Sequence, residues 1–199
     1  MKRGEQTRNI ILEQTAILFN KRGVAGTTMS DIMAVTGLQK GGIYNHFASK
    51  DELALAAFDK AWEQVKERFE QLLFPRQNSI DRLHALLNLF LSYSDNPPIE
   101  GGCPVLNTAI EADDTNPALL EKARSAIQEW RDFIVRTVER GIKYGEIKPE
   151  TDADMLADML VASLEGAVAL SRIDRSVQPL EHVLSFLRSY LEREVRISP

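Results

Sequence analysis

Residues 36–50 read TGLQKGGIYNHFASK, and the fold turns on whether this stretch is a loop or a helix. Two adjacent glycines, Gly41 and Gly42, cost a helix on the order of 1 kcal/mol each relative to alanine. Ile43 and Phe47 nevertheless stand four residues apart, the spacing that puts two apolar side chains on one helical face. The flanks decide for a helix. Upstream, Thr28 followed by Asp31 resembles a capping box that opens a short helix through Ile32, Met33 and Val35, and Gly37 ends it. Before that, Leu12, Ala16 and Phe19 form the stripe of a first helix that stops at Gly23. Downstream, Ser49 followed by Glu52 opens a long helix through Leu53, Phe58, Trp62, Val65 and Phe69 toward Pro75. Two short helices parted by TGLQ, the second spanning about Gln39 to Phe47, have the layout of a helix-turn-helix, whose second helix enters the DNA major groove.

On that layout the glycines have a use, because a backbone without side chains can come close to whatever it faces. Lys40, Tyr44, Asn45, His46 and Lys50 can then neutralise or hydrogen-bond phosphates. Gln39, Lys40 and Asn45 are the candidates for reading bases, since amides pair with adenine edges and lysine with guanine. Thr27 and Thr28, at the head of the second helix, complete the expected DNA-binding set, and the N-termini of the helices opening at Thr28 and Ser49 offer N–H groups to phosphate. The competing reading makes Gly41-Gly42 a plain loop and Tyr44 a core aromatic.

Composition is compatible with either reading. The 199-residue chain carries a net charge of -5, but residues 1–50 hold seven Lys/Arg against three acids, a net of +4 against -9 for the remainder. Such asymmetry is informative where the average is not. No apolar run reaches the roughly 18 residues of a membrane span, so a cytoplasmic protein is expected. One cysteine and three scattered histidines offer no zinc-ligand spacing, and neither a metal nor a cofactor is expected.

The segments ILEQTAILFNKRG (11–23) and TTMSDIMAVTGLQKGGIYNHFASKDEL (27–53) resemble the N-terminal domain of TetR-family transcriptional regulators, in that family's order and spacing. Lys40, Tyr44, His46 and Lys50 fall on positions where the family contacts DNA. Gly42 departs, since Thr, Ser or Ala is more usual there, which leaves base preference open. The resemblance implies an all-α protein, with a three-helix DNA-binding head over residues 1–50 and a larger helical domain over 51–199 that dimerises and binds a small molecule. It also implies a one-component regulator of double-stranded operator DNA, a repressor released by an effector, and not an enzyme. The alternatives are an activator with the same head, or an all-α enzyme or carrier whose basic N-terminus is incidental.

Elsewhere the apolar spacing is helical throughout, with starts marked by Ser79, Pro104, Asn116, Thr151 with Asp154, and Ser176 or Gln178. About nine helices and no strand are expected. The fragment GGCPVLNTAIEADD (101–114) is similar to one subgroup of the family. The last two helices carry the expected subunit contact: Leu156, Met159, Leu160, Leu164 and Val168, then Val183, Leu184, Leu187 and Leu191. Periodicity alone leaves open whether these stripes pack within one subunit, and the resemblance favours an isologous four-helix homodimer. The candidate effector pocket draws on Phe69, Phe90, Tyr93, Cys103, Trp130 and Phe133, although such aromatics also build plain cores. With Pro104 at a first helical position, Cys103 becomes an N-cap whose thiolate the helix dipole favours. It is either a sensor of electrophiles or oxidants or an inert buried thiol. Glu111, Asp113 and Asp114 read as capping or solvated carboxylates.

Overall fold

The computed structural model describes residues 3–73 and 76–197; Phe74 and Pro75 lie outside them, and with them the expected end of the long helix. Among the described residues there are nine α-helices: α1 (Arg3–Arg22), α2 (Met29–Thr36), α3 (Lys40–Tyr44), α4 (Lys50–Leu73), α5 (Ser79–Leu91), α6 (Pro104–Ala112), α7 (Pro117–Lys143), α8 (Ala153–Asp174) and α9 (Gln178–Tyr190). A π-helical turn over Leu191–Val195 follows α9. The described residues form no strand, only a lone bridge between Ile147 and Arg196. None of these helices is long and apolar enough to cross a membrane.

Contacts divide the chain into two compact units, one of residues up to Val65 with Ile99–Ser125, the other of Lys66–Pro98 with Ala126 onward. The expected division at residue 50 is one of function, and compactness draws a different line. The first part of α4, α6 and the start of α7 cluster with the head.

In the first unit α1 packs on α2, and Ile11, Leu12, Ala16, Phe19, Ile32, Ile43, Phe47 and Leu53 are buried. The glycine stops form as expected: Gly23 (φ 77°) and Gly37 (φ 69°) take left-handed conformations, and their N–H groups bond back to Phe19 and Met33 carbonyls at 2.8 and 2.9 Å. The segment 99–112 is riveted to the end of α1. Asn20 donates through Nδ2 to the carbonyls of Glu100 and Gly102, both at 2.9 Å. Asn107 donates in turn to Asn20 O, Asn20 Oδ1 and Gly101 O at 3.0, 2.8 and 2.9 Å. The carboxylate of Glu111 accepts the N–H groups of Val24 and Ala25 at 2.9 and 2.7 Å. Glu111 thus caps the turn after α1, a long-range role that its place in an acidic run did not disclose. No cluster of metal-binding side chains occurs among the described residues.

In the second unit α9 packs on both α8 and α5. Its core combines Ile80, Leu83, Leu86, Leu87 and Phe90 with Leu156, Leu160, Leu164 and Val168, and with Leu180, Leu184, Leu187 and Leu191. The cap of α8 falls on Asp152, which accepts from Met155 N at 2.9 Å, and not on Thr151.

Gly101 holds φ +110°, and a Cβ there would lie 2.8 Å from the carbonyl oxygen of Asn20. Gly145, at φ +70°, has nothing within 4 Å. Gly145→Ala is therefore expected to cost only the left-handed strain, about 1 kcal/mol. Gly101→Ala adds an immovable backbone clash and is expected to cost about 3 kcal/mol. Urea denaturation of the two variants measures the difference.

Candidate nucleic-acid interface

The recognition element is shorter than its spacing suggests. Gln39 is the N-cap, with extended backbone and no side-chain cap, and regular helix covers only Lys40–Tyr44. After it the turn tightens, with His46 N bonded to Ile43 O at 3.0 Å and Phe47 N to the same oxygen at 3.2 Å. Ile43 and Phe47 are each only 1% exposed, so one face of this single turn is pinned to the head. The other face is open: Gln39, Lys40, Gly41, Tyr44 and Asn45 are exposed, and Gly42, His46 and Lys50 are half-buried. Lys40 Nζ lies 5.7 Å from the centre of the Tyr44 ring, within cation–π range, which draws the two side chains together at one edge.

The glycines answer to nothing inside the protein. Neither has a positive φ. A Cβ on Gly41 would meet nothing within 4 Å, and one on Gly42 would make an ordinary 3.7 Å contact with Leu38. Alanine would fit both positions and favour the helix, so the fold itself does not require glycine at either.

The neighbouring helix starts are capped in part by their own side chains. Thr28 and Asp31 form the full capping box of α2. Hydrogen bonds from Thr28, with Arg22 beside it, hold the Asp31 carboxyl below its ordinary range, so the box is intact at neutral pH and loosens only as pH falls through that lowered value. At α4, Glu52 N donates to Ser49 Oγ at 3.1 Å, and the Glu52 carboxylate accepts Ala48 N at 2.7 Å. The N–H groups of Asp31, Ala48 and Glu52 are therefore used within the chain and not offered to phosphate. Thr27 does not belong to the surface set: it is 1% exposed, its hydroxyl donating to Gly23 O at 2.6 Å. A threonine beside an N-cap reads as accessible in the sequence, but here it ties down the turn after α1.

Comparison with known proteins agrees with this arrangement. Residues 11–57 match "Bacterial regulatory proteins, tetR family", and residues 79–187 match "Tetracyclin repressor-like, C-terminal domain". A TetR transcriptional regulator of Chloroflexus aurantiacus J-10-FL is 52% identical, each chain covering 100% of the other, with a TM-score of 0.96. One from Cytophaga hutchinsonii is 34% identical, covering 100% of this chain and 99% of its own, with a TM-score of 0.91. The transcriptional repressor DhaR of Mycobacterium sp. (strain GP1) is 25% identical over 89% of this chain and 88% of its own. The chain belongs to the TetR family. It is a ligand-responsive, DNA-binding transcriptional regulator and not an enzyme.

In this TetR-family chain the stripes expected to join subunits lie mostly inside one. Leu156, Leu160, Leu164 and Val168 of α8 and Leu184, Leu187 and Leu191 are buried in the second unit, and Val183 is half-buried. Periodicity selected the most regular leucine stripe, and that stripe builds the subunit core. Of the expected contact residues only Met159 is open to solvent. It belongs to a second stripe of Met155, Met159, Ala162, Gly166, Leu170 and Ile173, all exposed, with Ile173 at 76% and Phe186 of α9 at 66%. Gly166 repeats the signature of Gly41, with no positive φ and open space where its Cβ would be.

Among the candidate pocket residues, Phe69 meets Trp130 and Phe133 edge-on at 4.9 and 4.8 Å. Phe90 meets Tyr93 at 5.8 Å. These five lie in the second unit, whereas Cys103 lies in the first. Cys103 is the N-cap of α6 with Pro104 following, as its spacing indicated. It is buried, which removes the exposure a reactive thiol needs.

Replacing Gly41 by alanine separates folding from binding. The variant is expected to be as stable as the parent or more so, by up to about 1 kcal/mol, while its affinity for DNA falls. Thermal melting and a gel-shift titration of the same preparation measure both quantities.

Proposed function

We propose that the open face of α3, bearing Gln39, Lys40, Gly41, Gly42, Tyr44, Asn45 and His46, docks in the major groove of an operator, with Lys50 on the flanking phosphates. The protein acts as a repressor that a small molecule releases. The observation that carries this reading is the pair of glycines for which the chain itself has no steric or conformational need, at the centre of a polar, exposed turn. A competing enzyme or carrier with an incidental basic N-terminus leaves that pair without a cause.

The regulator works as a homodimer in this reading, joined through the exposed stripe of α8 and Phe186 of α9. A two-fold pair presents two reading heads to successive major grooves, which requires a separation of about 34–36 Å or a multiple of it. An effector need only favour another separation, and a coupling free energy of about 1–3 kcal/mol suffices to release DNA. The aromatic residues Phe69, Trp130 and Phe133, with Arg82 5.6 Å over the Phe133 ring, are where this reading places an aromatic or amphipathic effector. The network of Asn20, Asn107 and Glu111 ties the turn after α1 to α6, so displacement of α6 would be felt where the head is assembled.

Two experiments bear on this. Tyr44→Ala and Lys50→Ala are expected to weaken binding to every duplex, with Lys50→Ala alone of the two flattening its salt dependence, whereas Gln39→Ala and Lys40→Ala change which sequences are retained when genomic fragments are selected on the protein. Equal retention of the same fragments by all four variants would remove α3 from the interface. For the subunit contact, Met159→Glu is expected to yield folded monomers in light scattering. Leu160→Ala, by contrast, is expected to lower subunit stability by about 2–5 kcal/mol.

A further inference from the structure

We infer that Arg8, on α1, is an additional backbone anchor of the DNA-reading head, donating to a phosphate beside the recognition turn. The inference rests on the interface proposed above and adds a residue outside it. The observation is a cation–π contact: the Arg8 guanidinium carbon lies 4.8 Å from the centre of the Phe47 ring.

The position follows from helix geometry. Arg8 precedes Ile11, Leu12 and Thr15, all buried, by three, four and seven residues. Those spacings place it on the same stripe of α1, displaced toward the N-terminus. A stripe that faces a core would ordinarily continue with an apolar residue. Here it ends in an exposed arginine, because at this point α1 has run past the interior, and the ring it still crosses is that of Phe47. Phe47 in turn closes the segment that presents Tyr44, Asn45 and His46. A cation on α1 is thereby delivered to the end of the recognition element, thirty-odd residues away in sequence.

The chemistry of the contact selects an anion with oxygen acceptors. A guanidinium held over a ring still carries five N–H donors that the ring does not satisfy as hydrogen-bond acceptors would. Its planar fork matches two phosphate oxygens at once. Some arginines of this chain spend their donors on carboxylates, as Arg22 does on Asp31 at 3.3 Å and Arg124 on Glu121 at 2.7 Å. Arg8 forms no such ion pair among the described residues and sits instead over the Phe47 ring. Lying off α3, it would set register and orientation and carry no base information.

The test is the salt dependence of binding by purified full-length protein to two probes, a duplex recovered from genomic fragments by selection on the protein and a scrambled duplex of equal length. Each phosphate contact contributes about 0.9 to the slope of log K against log salt. Arg8→Ala is expected to flatten that slope by about 0.9 per head on both probes, and to weaken binding about fivefold per head at 0.15 M salt relative to 1 M. Arg8→Lys, which keeps the charge, is expected to retain the slope. Lys50→Ala serves as the control that flattens it independently. An Arg8→Ala slope equal to that of the parent, while Lys50→Ala flattens, overturns the inference and leaves the proposed interface standing. So does weaker binding at unchanged slope, which marks Arg8 as a mere support for Phe47; melting curves show whether that support is lost. A parent protein that binds neither probe at low salt overturns the interface itself.

Discussion

Burial of Ile43 and Phe47 is the constraint on which the regulator depends. Five residues of helix with two glycines are far below the length at which a helix holds itself together in water. The turn exists because two side chains four residues apart are sunk almost completely into the head, while Gly37 ends α2 sharply enough to bring the chain back. Anchoring one face by tertiary contact frees the opposite face from any structural duty. Glycines, lysines and a tyrosine can stand there for the sake of a partner.

The same logic extends to the rest of the first unit. A recognition turn is only as well aimed as the helices that carry it, and α1 and α2 meet at a turn of Gly23, Val24 and Ala25 with backbone N–H groups to satisfy. Glu111 satisfies two of them from α6, and the Asn20 and Asn107 amides lace the end of α1 to the loop before α6. Gly101 permits the approach, since a side chain there would strike the Asn20 carbonyl. The head is thus built partly from residues some ninety positions beyond it, held to the turn by hydrogen bonds.

Local signals were legible wherever a residue acts on its neighbours in sequence. The capping box at Thr28, the glycine stops at 23 and 37, Pro104 behind Cys103 and the all-helical pattern all appear in the structure as read. Signals that depend on how the chain packs around a residue were not. Thr27 looks like an accessible hydroxyl until Gly23 O is seen to accept from it. Glu111 looks like one member of an acidic run until its two amide donors are placed. The leucines of α8 form the more regular of two stripes, and regularity does not reveal which stripe faces the core of one subunit and which is left for another. The exposed glycine and methionines of that helix lie on the stripe that the core leaves uncovered.

The sequence by itself determined the class of the protein: helices only, a helix-turn-helix at the N-terminus, and a polar turn stripped of side chains at its centre. Those properties follow from short-range physics, namely propensity, capping and periodicity, which act within a few residues of chain. Tertiary structure alone decided how short α3 is, which apolar faces remain uncovered, and that Arg8 is carried across to Phe47. Each of these depends on which surfaces meet when distant segments pack, and packing is not encoded in the spacing of any one segment.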